Sequence, residues 1–294
     1  MGFDAALKAH LQTGTTTTCR CWSVTRRDGA VYGFTDHDMT LRFGDISYRA
    51  DTGMTATALE QSTGLSVDNS EAMGVLNATS ISEADIFAGR LDGAEVVAWL
   101  VNWADVAQRV ILYRGTIGEI TRADRGFRAE LRGLTEALNQ EQGRVYQAPC
   151  GAILGDGACG VDLSQPGYSV ELAVETLRDG KFFEFSGIEG FEARWFERGR
   201  FVVLGGAAAG LFGVIKNDRT SGGLRRIELW EALKAVVAQG DLVRLEAGCD
   251  KRVETCRLKF DNMLNFRGFP DIPGEDWQMS YPQSAKMNDG GSLR

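Results

Sequence analysis

Two cysteine pairs, far apart in the chain, constrain this fold more than any other feature of the sequence. Eight residues separate Cys150 from Cys159, and six separate Cys249 from Cys256. Almost ninety residues lie between the pairs. If the four thiols serve one centre, the intervening chain must leave and return to the same place, and so must fold as a block of its own. The second pair stands in GCDKRVETCRLKFDNMLNFRGFPDIPG, Gly248 to Gly274, beside a run of basic residues and ahead of a proline-punctuated exit. The first pair brackets CGAILGDGACG. Its glycines let the backbone fold closely around a bulky centre and turn N–H groups toward sulfur.

Neither spacing is the short C-x2-4-C knuckle of common zinc sites, nor the C-x2-C-x2-C run of bacterial ferredoxins. Charge adds a second signal. Lys251, Arg252, Arg257, Lys259 and Arg267 stand against Asp250, Glu254 and Asp261, a positive tilt in a chain of net charge −8. Four thiolates make an anion, and a buried anion must be compensated. Seven residues of continuous helix would hold Cys249 and Cys256 roughly 10 Å apart, too far for ligands of one small centre. The spacing therefore predicts Cys249 in a turn ahead of a helix that carries Cys256. On spacing and charge, three readings remain open: an iron–sulfur cluster, a structural zinc, and four unrelated buried thiols.

At 294 residues, with 44% apolar and 24% charged side chains, the chain is expected to be soluble and globular, with two domains and smaller pieces. Its 32 basic residues are outnumbered by 40 acidic ones and form no basic domain or stripe. Specific nucleic-acid binding is therefore disfavoured, although an acidic wall past which nucleic acid slides is compatible. The most apolar stretch, Phe201 to Ile215, falls short of the ~20 residues of a spanning helix, so no membrane span is expected. The N-terminus MGFDAALKAHLQ lacks a signal-peptide pattern. Synthesis in a reducing cytoplasm follows as an expectation, with the six cysteines as metal ligands or buried thiols rather than disulfides.

The fold class reads as mainly β, with α+β character at the edges. Asp4 to Leu11 is a short amphipathic helix. Asp28-Gly29 marks a hairpin between two β-prone runs, the first of which aims Cys19 and Cys21 at one face as small core residues. His37 reads as part of a hydrogen-bonded turn. Strands follow at Ile46 to Ala50, Met54 to Ala58, Gly64 to Val67, Glu95 to Trp103, Arg109 to Ile120 and Gly126 to Arg132. Ser82 caps a short helix with Asp85 three residues on, and LTEALNQEQ is a second short helix. Between the cysteine pairs, Ser169 to Leu245 alternates strands with glycine turns and has a hairpin at Asp179-Gly180, which suggests a small barrel or sandwich. GGAAAG at Gly205 to Gly210 lacks the Lys-Ser/Thr of a phosphate loop and reads as a tight turn. The expected segments are 1–145, a β-rich domain; 146–161, the first cysteine loop; 162–246, an inserted β-barrel or sandwich; 247–276, the second cysteine segment and exit; and 277–294, a polar tail. Phe266 and Phe269 in the exit read as core-capping aromatics.

The segment from Gly248 to Gly274 closely resembles the C-terminal signature of the tail-tip hub proteins of siphophages and gene transfer agents. FTDHDMTLRFGDISYRADTGM and LEQSTGLSVDN resemble that family's first domain, so the resemblance covers most of the chain. The family is related to the tail-tip protein L of phage lambda, which carries a four-cysteine 4Fe–4S site. The resemblance implies cluster ligation by Cys150, Cys159, Cys249 and Cys256, with zinc as the runner-up metal. Lambda-type proteins have a short connection between the pairs, whereas a whole β-domain intervenes here. The resemblance further implies a structural virion protein of a long non-contractile tail tip or baseplate. It would form a homotrimeric ring between the distal tail protein and a central fibre or megatron-like baseplate protein, with the tape-measure protein as a further candidate neighbour. Such a ring would line part of the conduit for DNA.

Two other classes are distinguishable. An iron–sulfur lyase leaves one iron open by using three cysteines, whereas four thiolates argue for structure or electron transfer, and no nucleotide or flavin fingerprint accompanies them. A zinc-stabilised binding module would be separated by metal analysis.

Overall fold

Alternation with a period of two builds most of this molecule, as expected where one face of a strand is buried. A computed structural model of the chain describes residues 4–50, 54–56, 69–75, 81–123, 126–133, 143 and 145–272. The chain divides into two units, Met1–Gln142 and Gly143–Arg294.

In the first unit, helix α1 (Ala5–Gln12) precedes β1 (Thr18–Thr25), β2 (Val31–Thr35), β3 (Leu41–Phe43), β4 (Ile46–Arg49), β5 (Met54–Ala56) and β6 (Asn69–Val75). Helix α2 (Glu83–Phe87) and strands β7 (Glu95–Asn102), β8 (Arg109–Ala123) and β9 (Gly126–Gly133) complete it. The strands form one sheet in the order β3-β4-β2-β1-β7-β8-β9-β6-β5. Every pairing is antiparallel except β2 with β4. Gly29, at φ +87°, supplies the left-handed residue of the first hairpin, whose ends are closed by the Arg26 N–H donating to the Ala30 carbonyl. The Ser82 cap forms as expected, its Oγ accepting from the Asp85 N–H at 3.0 Å.

Strand β1 is buried on both faces at its centre. Cys19 and Cys21 pack with Phe43, Tyr48 and Val101 on one side. Trp22 and Val24 pack with Val96, Ala98 and Leu131 on the other. Both thiols are thus small core residues on one face, with the Thr35 hydroxyl 3.5 Å from Cys21 and 4.0 Å from Cys19. His37 lies in a turn in which its Nδ1 accepts from the Met39 N–H at 2.9 Å. The sequence signals missed two strands of this sheet, β3 and β6. The strand expected at Gly64 to Val67, the helix LTEALNQEQ and the polar tail 277–294 lie outside the described residues.

The second unit holds β10 (Ser169–Ala173), β11 (Thr176–Arg178), β12 (Phe182–Phe185), β13 (Arg200–Val203), β14 (Phe212–Ser221), β15 (Leu224–Leu229) and β16 (Leu242–Glu246). They form one antiparallel sheet in the order β10-β16-β13-β14-β15-β12-β11. The order begins and ends on strands separated in the chain only by Val174 and Glu175. Four residue steps reach at most ~14 Å, so the sheet must curl until its two ends meet at that corner. It is a curled half-barrel filled from within. Phe183 and Phe185, Phe201 and Val203, Ile227 and Leu229, and Val243 and Leu245 all point inward at every second position. The hairpin before β12 turns on Asp179 and Gly180, at φ 57° and 60°, the pair of left-handed residues that a two-residue hairpin loop demands. GGAAAG is a tight turn, with Gly210 donating its N–H to the Val203 carbonyl. No helix among the described residues is long and apolar enough to cross a membrane.

Candidate metal centre

Cys150 and Cys159 stand on a loop before the half-barrel, and the second pair follows its last strand. Cys249 lies in extended chain after β16, and Cys256 on helix α3 (Val253–Leu258). The bend between them is made at Lys251, which adopts a left-handed φ of 68°. This is the turn-then-helix arrangement that the spacing predicts.

All four cysteines line one small cavity, of about 330 Å³ with its open mouth included. Its apolar wall comes from Ala152, Leu154, Val161 and Phe260. Among the described residues, no three Cys, His or carboxylate side chains converge as ligands of a single ion would. The sulfurs ring a space instead of meeting at a point.

Main-chain contacts fix the ring. The Cys150 N–H donates to the Lys251 carbonyl at 2.8 Å, joining the two cysteine segments directly. Asp156 organises the first loop by accepting from the N–H groups of Ile153, Ala158 and Cys159 at 2.9, 3.0 and 2.7 Å. These bonds hold its carboxyl below the usual carboxylate range. Asn262, just after α3, donates from Nδ2 to the Cys159 carbonyl at 2.6 Å and faces its sulfur at 3.7 Å. The Lys251 N–H points at the Cys249 sulfur and the Arg267 N–H at the Cys150 sulfur, each at 3.4 Å. Cys256, as a thiol, donates to the Asn262 carbonyl at 3.2 Å.

Electrostatics shows that the four sulfurs feel one another. Burial pushes the Cys249 thiol up. Burial, then the neighbouring Cys150, Cys249 and Cys159, pushes Cys256 up to about 11. Four thiolates in this space repel one another and want a cationic centre among them. The basic residues singled out in the sequence divide by task. Lys251 donates to the Ala152 carbonyl and lowers the Cys249 thiol's pKa through its charge. Lys259 is drawn under Trp195, 4.2 Å from the ring centroid, and donates to the carbonyls of Trp195 and Gly248 at 2.6 and 2.9 Å. Arg252 also borders the cavity, while Arg257 and Arg267 are exposed.

The support for this site extends into the half-barrel, where sequence reasoning did not look. Asp218 and Arg225 form a bidentate pair at 2.7 and 2.6 Å and are 0% and 3% exposed. Arg225 also donates to the carbonyls of Phe191 and Glu192, and Asp218 accepts from the Phe196 N–H. The pair thereby fixes the loop that carries Trp195, whose carbonyl receives both Lys259 and the Gly248 N–H. A side chain at Gly248 would overlap the Glu197 carbonyl, so only glycine lets the chain enter the site here. In the exit, Phe269 packs its ring 4.8 Å from Tyr146, a half-buried capping contact.

The donor set fits an iron–sulfur cluster: four soft thiolates, a lined cavity, and N–H groups directed at three of the sulfurs. Cys150, Cys159, Cys249 and Cys256 would be the holding residues.

Comparison with known proteins places this architecture. Residues 4–162 match the family model described as "Baseplate hub protein, N-terminal attachment domain". Residues 194–276 match a second, described as "Phage conserved hypothetical protein BR0599". No curated protein matches the chain. Among solved structures, a chain from the virion of a native gene transfer agent particle superposes with a TM-score of 0.92 at 57% sequence identity. The match covers 99% of this chain and 100% of that one. The first family model spans more than half of the sequence, and the solved relative matches it from end to end: the chain belongs to the baseplate hub protein family.

Proposed function

We propose that this protein is a structural baseplate hub of a gene transfer agent or long-tailed phage particle. The observation that carries the reading is the full-length match, at 57% identity, to a chain of a gene transfer agent virion. In this reading it works as a ring adaptor, a homotrimer between the distal tail protein and the central fibre or baseplate protein, around the path of the DNA. Its role is mechanical rather than catalytic. The acidic balance suits such a wall, because it would not hold phosphates electrostatically.

Within the hub, Cys150, Cys159, Cys249 and Cys256 hold a 4Fe–4S cluster. Support comes from the four thiols around one lined cavity. A single zinc needs four sulfurs each ~2.3 Å from one point, and the described residues offer no such convergence. Bound there, the cluster would supply positive charge among mutually repelling thiolates. It would also cross-link the entry and exit of the half-barrel, limiting the unfolded chain.

Two measurements test this. The first is anaerobic purification of wild type and the four single Cys→Ser variants, with iron, zinc and acid-labile sulfide assayed beside the visible spectrum. Brown protein with about four irons and four sulfides per chain, lost in each variant, is expected. Colourless protein with one zinc would replace the cluster by an ion. Metal-free protein of equal stability in all five samples would return the thiols to four buried residues. The second is immunoblotting of purified particles for the hub, whose absence would overturn the structural reading.

A further inference from the structure

The outer surface of the half-barrel breaks the rule that its strands otherwise obey. Inward positions are apolar, so outward ones should be polar. The register places Val202 opposite Phe212 and Arg200 opposite Val214, and Val202 opposite Arg244 on the other side. The Leu204 N–H donates to the Leu242 carbonyl and the Trp230 N–H to the Val214 carbonyl. Val202, Leu204, Phe212, Val214, Trp230 and Leu242 therefore lie side by side on one outward face. Phe212 and Trp230 are each 59% exposed, and Val214 and Leu242 are 44% and 43%. Large side chains so exposed and contiguous mark a surface that another molecule covers.

The border of this face carries one sign of charge outward. Arg200 is 51% exposed while its partner Glu246 is 6%, at 2.6 Å. Arg244 binds the same sunken carboxylate at 3.4 Å. Lys216 sits 5.6 Å over the Trp230 ring and 2.8 Å from Glu228, which is the less exposed of the two. The acids lie underneath and the cations outside. Two copies pairing through this same face would bring cation border against cation border, so a symmetric contact is disfavoured. A lipid surface is entered by projecting loop tips, and this face is the flat side of a sheet.

We infer that the outer face of β13, β14 and β16, with Trp230 beside it, docks a different protein of the particle through a segment that pairs an apolar anchor with flanking carboxylates. The inference rests on the assembly reading above. Phe212, Val214 and Trp230 supply the apolar contact, and Arg200, Arg244 and Lys216 meet the carboxylates. Neither the cysteines nor the groups that support them take part.

The test places a photoreactive benzoylphenylalanine at position 212 of the full chain and irradiates purified particles. Adducts are identified by mass spectrometry. The expected product joins position 212 to another particle protein, at a peptide with carboxylates within a few residues of the adduct. Its yield should fall at least about five-fold when Lys216→Glu and Arg244→Glu are combined. An adduct confined to the hub chain, whether within one copy or between two, overturns the inference, as does an adduct with lipid. So does no adduct at all while immunoblotting shows the hub in the particles. Absence of wild-type hub from the particles would sink the assembly reading itself, and this inference with it.

Discussion

Single atoms decide whether Cys249 reaches its place. Gly248 has no room for a Cβ because the Glu197 carbonyl occupies that space. Gly248→Ala should lower the unfolding free energy of the Gly143–Arg294 unit by about 1–3 kcal/mol, the usual range for overpacking against backbone, as read by urea denaturation. Asp218 gives a larger effect at a distance. Asp218→Asn leaves the Arg225 guanidinium buried without its counter-charge, a change that costs about 3–5 kcal/mol in comparable sites. It should also loosen the loop that offers Trp195 to Lys259, seen as faster amide exchange at Phe196 and Gly248. If the variant were as stable as wild type, the pair would be incidental to the site. None of this was legible in the sequence. Asp218 and Arg225 look like two ordinary charges on adjacent strands, and only the inward turn of both side chains makes them a buried pair.

At the scale of elements, the sequence carried its strands well where alternation was clean, as in Phe182–Phe185 and Leu242–Glu246, and where Asp-Gly fixed a hairpin. It failed where pattern is thin. The three-residue β3 is too short to show a period, and the parallel pairing of β2 with β4 cannot be read from residues that alternate equally well in either direction. The turn-then-helix form of the second cysteine segment was legible, because one length of helix cannot serve both thiols. The first loop depended on a residue that spacing did not point to. Asp156 ties Ile153, Ala158 and Cys159 together as a carboxylate, and its pKa is held down by those bonds. Its contribution is therefore complete above the ordinary carboxylate range and is lost as pH falls through the lower folded value. In the metal-free protein, protection of the Ala158 and Cys159 amides should drop below pH ~4. Asp156→Ala should show weak protection at every pH and no acid step.

For the molecule as a whole, the two units should answer differently to metal. The proposed cluster lies entirely within Gly143–Arg294, where it closes the long excursion from Cys159 to Cys249. In the chain-entropy account, a cross-link over a loop of that length is worth about 3–5 kcal/mol. Chelation should destabilise the half-barrel by that order and leave exchange in the β1–β7–β8 core unchanged. Equal loss in both units would show that the metal acts on something other than this closure. The corner at Val174–Glu175 bears on how many neighbours such a hub can accept. Unpaired strand edges invite further chains by backbone pairing, without a natural stopping point. Here the two ends of the sheet are β10 and β11, five and three residues long, brought together by a bend in one run of chain. Little main chain is left to template another strand, so neighbours must be recruited through side-chain fit. Fit can be saturated: once each complementary face is filled, growth ends, and a finite ring is favoured over an open fibre.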